Sequence, residues 1–288
     1  MFYMLHNIKP VYLHCVFHGI RFKVNEDWES GKIPFFLCLA FLLEKNRIIM
    51  ETETIKLLKE WATTYHCASF IPDDPVQFPH RYVEQKDIEI SGLLTAVLSF
   101  GNRKMILRKA DELDAIMGHS PLEYILSGKW RDDFRSDDKS SFYRMVSHSD
   151  FRFYLEKLYS VYSEGKTLED RLLEYDGTPM QKLCAFLEVS DRSPQKKLNM
   201  FLRWMVRQDS PVDFGVWKRM SASDLIIPLD THVCRVAHLL GLTDKPVFSL
   251  TNAKRITNAL AEIFPGDPCM GDFSLFGYGV NNKDAGEL

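Results

Sequence analysis

The chain has 288 residues, 45% of them hydrophobic, enough to bury a sizeable core as one large domain or two small ones. Its 36 Lys and Arg against 39 Asp and Glu leave a net charge of −3, so no global basic field marks a nucleic-acid partner, and any such contact has to use a local patch. The six cysteines (Cys15, Cys38, Cys67, Cys184, Cys234 and Cys269) form no C-x-x-C and no close Cys/His group; this excludes a recognisable zinc or iron–sulfur spacing and reads as reduced thiols of a cytoplasmic protein.

In chain order, the longest apolar run, residues 33–43, is 11 residues, well short of the roughly 20 that a membrane span needs. It follows a stretch that includes Glu26, Asp27 and Glu29, which is not the layout of a secretion signal. At Met50 an aromatic, irregular composition changes to METETIKLLKEWATTYH, a helix opening with acids in its first turn. Residues 1–49 are therefore expected to be an appendage, read as a mis-assigned translation start, and residues 50–288 a helical domain. Ile55, Leu58, Trp61 and Ala62 share one face of that first helix. Residues 71–82, IPDDPVQFPHRY, hold three prolines and read as an irregular connector. Two amphipathic helices follow. Ile90, Leu93, Leu94, Val97 and Leu98 form the buried face of one, and Ile106, Leu107, Ala110, Leu113 and Met117 that of the other. The donor-rich turn SFGNRK, residues 99–104, separates them.

Helical patterns recur over residues 121–126, 151–162, 167–175, 178–189, 194–207, 216–220, 231–240 and 250–264. No run alternates apolar and polar residues as a strand would, so the fold class is all-α. RDDFRSDDKSS, residues 131–141, reads as a mobile loop. The tail CMGDFSLFGYGV is expected to close the core through Phe273, Phe276 and Tyr278. His232 and His238 are six apart and do not share a helical face, so no metal site is expected there.

The chemistry centres on IIPLDTHVCRVAHLLGL, residues 226–242. Asp230 stands where a helix N-cap should stand, able to accept the N–H of Val233 or Cys234, with Val233, Val236, Ala237 and Leu240 directed to the core. PLDTHVCRVAHLLGL resembles the signature of the helix-hairpin-helix DNA glycosylase superfamily, the base-excision enzymes related to endonuclease III. SGLLTAVLSFGNRKMILRKADEL resembles their early helix and turn. DPVQFPHRY, KKLNMFLRWMVR and DPCMGDFSLFGYGV look similar to an uncharacterised bacterial branch of that superfamily. The resemblance implies a two-lobed helical fold with a central cleft, damaged duplex DNA as partner, N-glycosidic cleavage as reaction and Asp230 as the catalytic carboxylate. KLNMFLRWM is also similar to the stretch that carries the amine of a divergent archaeal group of 8-oxoguanine glycosylases; this makes Lys197 the candidate Schiff-base amine, Lys196 its neighbour, and an added lyase step an open alternative.

The chain departs from the family pattern at four places. It has no L-P-G-[VI]-G hairpin, Val212 stands at the usual lysine position, Phe100-Gly101-Asn102 replaces a glutamine-containing turn, and the cysteine-ligated cluster is missing, so no cofactor is expected.

Between Lys182 and Arg219 eight basic residues face four acidic ones, a local charge of +4. Lys196, Arg203, Arg207, Arg103, Lys104 and Asn102 are accordingly the candidate DNA contacts, with Arg108 and Lys109 beside them; a solvated helix face is the alternative. Trp204 and Trp217 could stack on an extruded base or fill the core. The expected protein is a monomer without a membrane partner. Its alternative function is a non-catalytic nucleic-acid or protein-binding member of the same fold, with a small-molecule enzyme third.

A chain beginning at Met50 should keep the melting temperature of the full chain. A loss of more than about 4 °C, roughly 1 kcal/mol for a small domain, would show instead that the leader packs on the core.

Overall fold

The computed structural model describes residues 52–282. The chain divides between Thr54 and Ile55, and the core and cleft belong to the second unit. Residues 1–49, and with them the expected appendage, lie outside the described residues.

The fold is all-α. Helix α1 (52–65) leads to three short 3-10 turns (Ala68–Asp73, Pro75–Gln77 and Pro79–Arg81), the last two opened by a proline whose missing N–H costs nothing at a helix start. The helices α2 (Gln85–Leu98), α3 (Arg103–Ile116), α4 (Pro121–Ser127) and α5 (Trp130–Asp133) follow. Then come the strands β1 (Ser141–Tyr143) and β2 (Val146–Ser147), and the helices α6 (His148–Tyr162), α7 (Leu168–Leu172), α8 (Pro179–Phe186), α9 (Lys196–Val206), α10 (Thr231–Leu239), α11 (Leu250–Ile263) and α12 (Met270–Asn281). Ser147, Thr167 and Thr178 each close a capping box with the residue three positions on, which sets where α6, α7 and α8 begin. Among the described residues no helix is long and apolar enough to cross a membrane.

Helix α2 is the axis of the unit. Its sequence shows one apolar face, yet every residue from Ile88 to Leu98 is buried. The polar residues among them are tolerated because they find partners. The Glu89 carboxylate accepts from the Tyr162 hydroxyl at 2.9 Å, the Leu168 N–H at 3.0 Å and the Trp217 indole N–H at 2.7 Å, so one side chain ties α2 to α6, α7 and the chain after α9. Gly92 lets α9 approach: a Cβ there would lie 3.1 Å from Met205 Cε.

Two local expectations are corrected. Residues 216–220 are not helical: the Phe214 and Trp217 N–H groups donate to the Trp204 and Met205 carbonyls at 2.8 and 2.9 Å, so this stretch runs alongside α9. Residues 131–141 are anchored rather than loose, with α5 at their start, Phe134 buried and Arg152 Nη1 of α6 donating to the Arg131 and Phe134 carbonyls at 3.1 and 3.3 Å. The tail packs on the core as expected, with Phe273 buried and Phe276 and Tyr278 part-buried against it, and it does so as a helix, α12, despite three glycines. These sit where neighbours come closest; a Cβ at Gly279 would meet His232 Cβ at 2.8 Å and Val236 Cγ2 at 3.1 Å. Close packing of α12 on α10 outweighs the low helix propensity. His232 Nδ1 and Arg235 Nη2 of α10 donate to the Gly279 carbonyl at 2.9 and 3.1 Å, placing basic groups at the C-terminal end of the α12 dipole.

Gly279→Ala should therefore destabilise the protein by about 1–3 kcal/mol in urea unfolding, since the added methyl has to push α10 and α12 apart. A stability equal to wild type would mean that α10 and α12 are not in close contact.

Candidate active site

A cleft of ≈ 650 Å³ lies among the turn after α2, the start of α3, the face of α9, the cap of α10 and the first turn of α12. Three carboxylates line it (Asp74, Asp230 and Asp272), together with the cations Arg103, Lys196 and Arg203. Each acid is held by one oxygen. Asp74 Oδ1 accepts from the Val76 N–H at 3.1 Å, Asp230 Oδ1 from the Val233 N–H at 2.8 Å, and Asp272 Oδ2 from Arg203. The second oxygen of each has no hydrogen-bond partner among the described residues. Phe70, Phe100, Phe276 and the half-exposed Phe248 supply apolar walls.

Beneath the cleft runs a buried ionic network. Arg203 Nε donates to Asp213 Oδ1 at 3.2 Å, and Arg203 Nη1 to Asp272. Arg207 pairs with Asp213 and donates to Asp267 at 2.8 and 2.7 Å. Both guanidiniums flank the Phe273 ring, with Cζ to centroid distances of 4.4 and 5.2 Å. Burial alone would disfavour charge on Arg203, but Asp213, Asp272 and Asp74 overcome that penalty and hold its pKa above the ordinary value. The acids respond in the opposite sense. Burial pushes Asp272 up to about 6, opposed by Arg203 and reinforced by Asp230, and burial likewise raises Asp74 against the pull of the Val76 N–H.

The sequence candidates separate on this frame. Asp230 both caps α10 and faces the cleft. Asn102 caps α3 through the Lys104 and Met105 N–H groups, at 3.0 and 3.4 Å, and lines the cleft beside Arg103, whose guanidinium lies 5.7 Å from the Phe276 ring. Lys104 is exposed one residue further on. Lys196 lines the cleft and Lys197 does not; the Lys197 amine donates to the Val97 carbonyl at 3.1 Å and sits 4.8 Å from the centroid of Phe100. Burial, and then Lys196, lower its pKa.

Arg203 and Arg207 are not surface contacts. Both are buried, with their guanidiniums engaged by carboxylates, so neither is available to a DNA phosphate as the charge count suggested. Arg219 pairs with Asp170 at 2.6 Å, and Lys182 donates to the Tyr175 carbonyl. The +4 segment is thus largely satisfied within the fold. Trp204 and Trp217 are core residues. Among the described residues no group of His, Cys, Asp or Glu could hold a metal ion.

Asp74, Asp272 and Phe248 were missed by the sequence reading. Asp74 and Asp272 lay within DPVQFPHRY and DPCMGDFSLFGYGV, stretches singled out for similarity but assigned no chemistry, and no spacing ties them to Asp230. With KKLNMFLRWMVR, which supplies Lys196, Arg203 and Arg207, these stretches meet at the cleft.

Residues 74–281 match the family described as "Protein of unknown function (DUF2400)". The chain belongs to the DUF2400 family. The matched region opens on the first of the cleft carboxylates and runs to the last residue of α12, so all three acids lie within it. No curated protein and no solved structure matches the chain.

Arg207→Ala should cost about 3–5 kcal/mol in urea unfolding, because it leaves Asp267 without its cation and the buried Asp213 with Arg203 alone. A cost below about 1 kcal/mol would contradict the network and return Arg207 to the surface.

Proposed function

We propose that the protein is a DNA N-glycosylase that extrudes a damaged base into this cleft and cleaves its bond to the sugar. The observation that carries this reading is Asp230: it lines a cleft walled by aromatic rings, capping occupies one of its oxygens, and the other has no hydrogen-bond partner among the described residues. In such a cleft the carboxylate can stabilise the positive charge that develops on the sugar as the base leaves, and can take a proton from the attacking water. Phe248, Phe100 and Phe276 offer faces on which an extruded base can stack. Arg103, Lys104, Lys196 and Asn102 would meet the DNA backbone at the rim, a contact that weakens as salt rises. The two-lobed arrangement of the helix-hairpin-helix enzymes is part of the proposal. The proposed reaction uses side chains and water alone.

Hydrolysis comes before the lyase alternative. Lys197 has the depressed pKa of a nucleophilic amine, but its Nζ is engaged by the Val97 carbonyl, and it is Lys196 that borders the cleft. The competing reading is a nucleic-acid or protein-binding member in which Asp230 is only a cap. It is favoured by the Val233 hydrogen bond, which accounts for an Asp at this position without any chemistry.

Asp230→Asn separates the two readings. Asn keeps an oxygen for the cap, so the stability cost should stay at or below about 1 kcal/mol. Base release from duplexes carrying 8-oxoguanine, hypoxanthine, 7-methylguanine or uracil should fall about a hundredfold or more, because Asn has no charge to offer. Borohydride should trap no adduct with the wild type; trapping abolished by Lys197→Ala would add the lyase step. If the wild type releases no base and Asp230→Asn merely loosens the fold, the cap is the whole explanation.

A further inference from the structure

We propose that Asp272 is the general acid of this reaction, delivering a proton to the ring nitrogen of the departing base while Asp230 stabilises the sugar cation. The inference rests on the glycosylase reading above. It begins from position. Asp272 stands in the first turn of α12, is only 4% exposed, and still borders the cleft. Arg203 holds Oδ2, while Oδ1 has no partner among the described residues and is not one of the sealed, unsatisfied atoms. The cleft that Asp272 lines is where that oxygen can meet a ligand.

Its surroundings differ from those of Asp230 as a division of labour requires. Arg203 and Lys196 face it from α9, Asp230 from the cap of α10, and the buried Cys269 from the residue before α12. Burial holds the Cys269 thiol protonated, so it adds no charge. Beyond Arg203 lie Asp74 and Asp213, with Arg207 and Asp267 further along the network, and His66, whose pKa burial lowers, rests 4.5 Å from the adjacent Phe273 ring. With the buried Asp74, Asp213 and Asp272 set against Arg203 and Arg207, and the part-exposed Asp267 also drawing on Arg207, full ionisation would leave the buried acids in excess of the two guanidiniums, and a proton on Asp272 relieves that excess. Asp74 is also raised, but it is Asp272 that has Asp230 among the leading causes of its shift. Asp272 is therefore the acid whose proton affinity responds to the carboxylate beside the sugar, and its proton is released more readily as cationic charge grows there.

The balance is simple. The bond from C1′ to the base breaks with its electron pair passing to the base nitrogen, which takes the proton of Asp272. Water adds its oxygen to C1′, and its proton passes to Asp230. Free base and a sugar bearing a C1′ hydroxyl leave, one water is consumed, and exchange through solvent returns the proton from Asp230 to Asp272.

The test is single-turnover release from duplexes carrying hypoxanthine, a neutral leaving group that needs a proton, and 7-methylguanine, which is already cationic and does not. Wild-type release of hypoxanthine should fall about tenfold per pH unit above about pH 6, whereas release of 7-methylguanine should lack that limb. Asp272→Asn should lose about a hundredfold on hypoxanthine and less than about tenfold on 7-methylguanine, and should flatten the hypoxanthine profile. A merely structural Asp272 would depress both substrates equally and leave the profile unchanged, which overturns the inference. Should the variant fail to fold, the wild-type profile decides alone: hypoxanthine release independent of pH between about 5 and 8 overturns it. Release by wild type without these signatures sinks the acid assignment only, while no release from either duplex or from the 8-oxoguanine and uracil duplexes sinks the glycosylase reading and this inference together.

Discussion

The architecture turns on two arginines buried among carboxylates. Arg203 and Arg207 leave α9 one turn apart and meet Asp213 on the chain that follows, Asp267 before α12, and Asp272 within α12. Charges taken out of water are costly, and their mutual attraction offsets the cost only when geometry and hydrogen bonding are good. Such a network tolerates few arrangements. It fixes α9 against α12, and in doing so fixes the floor of the cleft and the oxygen that Asp272 presents to it. An apolar core of similar volume could have been as stable, so the retention of these charged groups fits a role in placing polar atoms at a site.

The same economy governs the cleft walls. Asp74 uses one oxygen to open a 3-10 turn, Asp230 uses one to cap α10, and Asp272 uses one to neutralise Arg203. In each, the structural bond orients the side chain and leaves the second oxygen for whatever enters. A helix cap and a chemical role are thus compatible: the cap is what aims the carboxylate. Close approach of α10 and α12 at Gly279 then sets the spacing between Asp230 and Asp272, which belong to those two helices.

Much of this was legible in the sequence. Period-3.6 patterning identified the helices from α1 to α11 with few exceptions, and the Asp before THVCRV announced its cap. The exceptions have physical causes. α12 was hidden by glycines whose value lies in a neighbour's proximity, a tertiary fact with no local signature. Residues 216–220 carry a helical apolar pattern, but Trp217 is drawn instead to Glu89, a partner 128 positions away. Arg203 and Arg207 were read as a basic surface because a charge count over a segment does not say which acid pairs with which cation: Asp213 was counted but not paired, and Asp267 and Asp272 lie 60 and 69 residues away, outside the segment. For the same reason Asp272 passed as a piece of an aromatic tail. Asp230 was found because its motif is local, and Asp272 was missed because its significance depends on three elements meeting.

If the cleft acts on a sugar with developing positive charge, the most direct measurement is binding of a duplex that carries a protonated pyrrolidine in place of the abasic sugar, compared with the same duplex carrying a neutral tetrahydrofuran. The account predicts that the cationic ring binds at least about tenfold more tightly, and that Asp230→Asn removes most of the difference. Equal affinity for the two rings, in wild type as in the variant, would contradict it.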